Sequence, residues 1–200
     1  MNSFARFAVA VIAIASLLLP PDAHAARKGK ELLQYIPADT PYVFAMTKPL
    51  PQHLQDRFEP AIDKTLSAYK QVFVHHVDAE VERLRATEDG EARAAQLQAL
   101  VDEVTSLFSV RELRNAGLGR GSLIAVYGDG LLPVMRIALT DAAAFDDAVA
   151  RIEAHSSAKF ETGSIDGSSY RYRDIDEMRF IIATLGKDAV ITLVPASYDD

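Results

Sequence analysis

His75, His76, Asp78 and Glu80 stand within one six-residue stretch and form the best group of metal-ligating side chains in the chain. His76 and Glu80 are four apart, so a helix would put both on one face, where they could grip one ion. The order is not His-Glu-x-x-His, and a third ligand would have to come from elsewhere. Two ligands rarely make a stable site, so the stretch is expected to be a solvated helix face, with no resident metal and no cofactor. Gly117-Leu118-Gly119-Arg120-Gly121 is glycine-rich but precedes a strand. Phosphate-cradling loops follow a strand and open a helix, so this one reads as a flexible link. Asp129 lies between two glycines, which is hairpin-turn chemistry. Ser122 lacks the glycine two places on that a nucleophile elbow requires. No catalytic residue emerges.

Tyr170-Arg171-Tyr172-Arg173 alternates aromatic and basic residues. In a strand, Tyr170 and Tyr172 share one face, and Arg171 and Arg173 share the other. The ordinary arrangement has the tyrosines inward and the arginines in water. The functional alternative is an arginine pair, Arg171 and Arg173, that receives an acidic envelope polymer or a phosphate headgroup.

Composition narrows the classes further. The 200 residues are 49% hydrophobic and 24% charged, too apolar for a disordered chain. With 21 Lys+Arg against 28 Asp+Glu the net charge is -7, which argues against a nucleic-acid partner. Cysteine is absent. That excludes disulfides, thiolate metal sites, a cysteine nucleophile and a lipoprotein anchor.

The N-terminus carries an address. Arg6 precedes an apolar run, Phe7 to Leu19, broken by Pro20 and Pro21. Ala23 and Ala25 then supply the small residues that a signal peptidase reads, so residues 1–25 are expected to be a cleaved signal peptide. The run is 13 residues long, short of the roughly 20 that a spanning helix needs. Cleavage after Ala25 would leave residues 26–200 as one exported domain, periplasmic or secreted, with no membrane span.

The remaining elements follow from periodicity. Glu31 to Ile36 reads as a short helix before the Pro37–Pro41 turn, and Tyr42 to Thr47 as a strand. Leu54, Phe58, Ile62, Leu66, Tyr69, Phe73, Val77, Val81 and Leu84 recur at the helical spacing. Pro60 is expected to kink this helix or to begin a fresh one. After a polar break at Ala86–Gly90, Ala94, Leu97, Val101, Val104 and Phe108 mark a second helix. Residues 52–108 therefore read as an inserted helical hairpin. Ser109 is placed to cap a short helix to Ala116. Strands are expected at Leu123–Tyr127 and Leu132–Leu139, then a helix over Ala142–His155. Further strands follow at Lys159–Thr162, Ser169–Arg173, Met178–Thr184 and Ala189–Val194, with a turn over Gly163–Gly167. The fold class is α+β: a mostly antiparallel sheet, one packed helix and the long hairpin. Ser197, Asp199 and Asp200 look like another helix start, so the chain is expected to continue in a longer protein.

Two segments carry a resemblance. LLQYIPADTPYVFA (Leu32 to Ala45) follows the leader. Ala138 to Val194 contains Asp141 and Phe145, then Gly167 and Tyr170, then Gly186 to Asp188. Together they resemble a family of exported bacterial proteins of unknown function, built from a P-A-D-T-P turn and a strand, helix, hairpin unit. The resemblance covers about half of the chain after the leader and leaves out the hairpin. It implies a longer protein and supplies no catalytic residue.

The function expected from the sequence is a non-enzymatic binding or scaffolding module of the periplasm or envelope, its partner an envelope protein, lipid or glycan. One alternative is a carrier or sensor for a lipid or other hydrophobic ligand held between sheet and helices. A further alternative is a hydrolase completed by residues beyond this chain.

Overall fold

A computed structural model describes residues 32–49, 51–87, 90–119, 122–156, 159–175 and 177–197. The expected signal peptide, with Ala23 and Ala25, and the acidic residues Asp199 and Asp200 lie outside the described residues.

The strands are β1 (Val43–Ala45), β2 (Ile124–Asp129), β3 (Leu132–Ala138), β4 (Glu161–Ile165), β5 (Ser168–Ile175), β6 (Met178–Leu185) and β7 (Asp188–Pro195). The helices are α1 (Gln52–Arg85), α2 (Gly90–Ser106), α3 (Val110–Asn115) and α4 (Ala142–His155). All seven strands join one antiparallel sheet in the order β1-β2-β3-β7-β6-β5-β4. The α+β class and the antiparallel sheet are therefore as the sequence pattern indicates.

Pairing register sorts the side chains onto two faces. One row runs Phe44, Val126, Met135, Ile191, Ile182, Arg171, Thr162 across the sheet. This face packs against α4 through Phe145 and Val149, with Ile124, Met135, Ile137 and Ile191 at its centre. The row beside it on the opposite face runs Val43, Tyr127, Val134, Thr192, Ile181, Tyr172, Glu161. There Leu32 and Ile36 cover Leu123, Ala125, Tyr127 and Val134.

The hairpin packs antiparallel. Near its turn Val77 and Val81 of α1 meet Ala94 and Val101 of α2. Toward the other end Leu66 meets Leu100, Val104 and Phe108, with Leu113 of α3 and Ile152 of α4 beside them. Pro60 lies inside one continuous α1 and starts no new helix. Around it Phe58 is exposed, and Tyr69 and Val72 are exposed further on, so the apolar stripe is wider than the strip that α2 covers.

Local chemistry explains the junctions. The Ser109 hydroxyl accepts from the Glu112 amide at 3.1 Å, and the Asp141 carboxylate accepts from the Ala144 amide at 3.0 Å, so each caps its helix. The Gly117 link is packed, not loose. Gly117 has φ of 79° and lies so close to the Asp141 carbonyl that a Cβ would stand 2.0 Å from it. The Thr140 amide donates to the Gly117 carbonyl at 2.8 Å, closing the junction. The turn between β4 and β5 is shorter than Gly163–Gly167: Asp166 (φ 48°) and Gly167 (φ 75°) make a two-residue hairpin turn. Gly163 is in the strand, with its Cβ position filled by the Tyr170 ring across from it.

Candidate functional site: an apolar slot between the hairpin and the sheet

The hairpin reaches the sheet mainly by way of α4, because the helices that bury its stripe are its own partners α2 and α3. Space remains where the hairpin passes the ends of β5 and β6. That space is a slot of about 80 Å³. Phe73, Val77 and Glu80 of α1 form one wall, and Leu97, Leu100, Val101 and Val104 of α2 a second. Ile152 and Ser156 close it from the end of α4. Phe160, Arg173, Ile175 and Phe180 form the sheet side. A dry cavity needs no water when its lining is apolar, and this volume suits a few methylene groups in file better than a ring system.

The polar groups of the slot are few and fixed. Arg173 Nη1 donates to the Ser156 hydroxyl at 2.7 Å. Burial lowers the pKa of Arg173 from the ordinary guanidinium value, yet an arginine stays charged under such a shift. The Ser156 carbonyl accepts from Gln96 Nε2 at 3.3 Å, which ties α2 to the end of α4. Arg151 Nε and Glu103 Oε1, at 2.8 Å, make a second tie between these helices. A cation, Arg173, therefore stands on the sheet side of a mostly apolar space, with the Glu80 carboxylate on the α1 wall.

The structure separates the two arginines of the candidate anion patch. Both lie on the α4 side of the sheet, opposite Ile182 and Phe180 respectively, while Tyr170 and Tyr172 lie on the other face. The expected orientation, tyrosines inward and arginines in water, is thus reversed. The α4 side is not fully covered near β5, so arginine stems can lie along it with their heads at openings. Arg173 lines the slot, whereas Arg171 lines a different recess of about 390 Å³ beside Asp146, Thr162 and Thr184. Thr184 Oγ1 donates to Asp146 Oδ1 there at 2.9 Å.

His76 and Glu80 do lie on one helix, but each has a local partner. His76 Nδ1 is 2.8 Å from the Val72 carbonyl, and Glu80 Oε2 takes Arg83 Nη1 at 3.2 Å. Among the described residues no group of three or more His, Asp or Glu side chains is placed to hold a metal ion. Asp129 ends β2 in the turn to β3, and Ser122 is buried just before β2. Among the described residues no helix is long and apolar enough to cross a membrane.

Ser156 and the slot-lining apolar residues were not candidates from the sequence. Val77, Leu97, Val101 and Val104 read there as core stripe, and a stripe residue beside a void has the same periodicity as one against a neighbour. No family model, curated protein or solved structure matches the chain.

Proposed function

We propose that this chain is an exported, non-catalytic binding module of the periplasm or cell envelope, and that it takes the aliphatic end of an amphiphile into the slot between hairpin and sheet. The observation that carries this reading is the apolar slot with Arg173 at one wall. An apolar chain would gain burial against Val77, Val104 and Phe180, and an anionic head could pair with the guanidinium. The leader at residues 1–25 supports work outside the cytoplasm, where such amphiphiles are envelope components.

Calorimetric titration with decanoate and decyl sulfate below their micelle concentrations, and with decanol below its solubility limit, tests the reading. Decanoate and decyl sulfate are expected to bind saturably. Arg173→Gln is expected to weaken both by about tenfold or more, the scale of a charge-assisted hydrogen bond, and to leave decanol little changed. Val104→Phe, which fills the slot, is expected to abolish binding of all three. Absence of saturable heat, or equal binding by Val104→Phe, would contradict it.

A specific observation also favours a scaffolding role. Tyr69 and Val72 are exposed beside an open cleft of about 770 Å³ that includes Phe73, His76 and Phe108. An apolar helix face of this kind is an ordinary place for a partner protein. Val72→Glu would remove such docking while leaving the slot intact.

A further inference from the structure

The sheet face away from α4 carries a second surface, independent of the slot. Over β2 and β3 it is covered by Leu32 and Ile36, but none of the described helices packs on it over β5, β6 and β7. There Tyr170, Tyr172, Ile181, Ala183, Val190 and Val194 lie half-buried in adjacent rows. A sheet normally buries its apolar face against another layer.

We propose that a second copy of this chain is that layer, and that two sheets meet face to face in a symmetric dimer. Area and charge both point to this occupant. Three strands of eight residues, with the shorter β4 beside them, span roughly 26 by 19 Å, about 500 Å² from each copy. Two copies together bury on the order of 1,000 Å², the lower bound of a specific interface.

Two ion pairs at the margin are already made within one chain. Arg179 pairs with Asp174 at 2.7 and 3.1 Å, and Arg136 pairs with Asp188 at 2.8 Å. The Glu161 carboxylate accepts from the Tyr172 hydroxyl at 2.7 Å. Apart from the Glu161 carboxylate on β4, such a face carries no unpaired charge from these groups to attract a strongly charged partner or repel its own copy, even in a chain of net charge -7. Thr192, Ile181 and Tyr172 stand in one row across the middle of the open face, where a two-fold axis would set that row against its own copy.

Sedimentation equilibrium of the exported chain over a wide concentration range is the test. The wild type is expected at twice the chain mass. Thr192→Lys and Ile181→Lys, which put like charges at the centre of the contact, are expected to sediment at the chain mass with unchanged circular dichroism. Ala143→Lys, on the exposed side of α4, is expected to remain dimeric. A wild type that stays monomeric at every soluble concentration, or a dimer that survives Thr192→Lys, would overturn the proposal. Either result leaves the slot titration to be judged separately, because the slot lies on the opposite side of the sheet.

Discussion

Arg136 is 6% exposed, which makes it the most demanding charge among the described residues. Its guanidinium lies 3.8 Å from the Tyr35 ring centroid and donates to Asp188, while its Nε finds no partner among the described groups. Burying a guanidinium costs several kcal/mol unless an anion answers it. Asp188→Ala would remove that anion and leave the cation in place. It is expected to destabilise by about 3 kcal/mol in chemical denaturation. The double change Arg136→Met with Asp188→Leu removes both charges and is expected to lie within about 1 kcal/mol of the parent. A single variant as stable as the parent would mean that Asp188 does not hold the charge. The sequence hid this pair: Arg136 sits in an apolar strand and Asp188 in a turn, 52 residues apart, and only the β3–β7 pairing brings them together.

At the scale of elements, α1 departs most from its sequence. Proline in a helix interior forfeits one hydrogen bond and crowds the carbonyl four residues back, here Asp56. Pro60→Ala would recover up to about 3 kcal/mol in the helix and lose about 1 kcal/mol through a freer unfolded chain. The net expectation is a gain of about 2 kcal/mol, read as a raised midpoint in urea. A loss of stability would show that Pro60 sets a packing geometry that α1 needs.

The continuity of α1 explains why a proline was a poor stop signal. Val77 and Val81 bury against α2, and Leu66 packs under Phe108, so tertiary contact holds the run together. Strand positions, the helix cap at Ser109 and the hairpin were legible because each rests on local chemistry. The face on which a strand's residues end up was not. Tyr170 and Arg171 alternate in any strand, and the choice of inner face depends on which side α4 packs.

Over the whole molecule, the structure gives pH dependence at both ends. Burial raises the Tyr127 phenol pKa above its ordinary value, although Arg136 opposes the shift. The fold therefore favours the neutral phenol. The unfolded chain ionises first, near pH 10, so this contribution is full below that pH and is lost as pH rises toward the folded value. Tyr127→Phe is expected to flatten the alkaline limb of a thermal-stability profile; an unchanged limb would assign it elsewhere. On the acid side, the hydrogen bond from Arg179 lowers the Asp174 pKa. Its contribution is present above the ordinary carboxylate range and fades below it, weakly, because the pair is solvated.

The central claim concerns the slot, and methyl-resolved NMR during a decanoate titration tests it most directly. Val77, Leu97, Val104 and Ile152 methyl signals are expected to shift together and saturate, while Val190 and Val194 on the opposite sheet face stay still. Shifts spread evenly over both faces, or no saturable shift at the slot, would contradict the account.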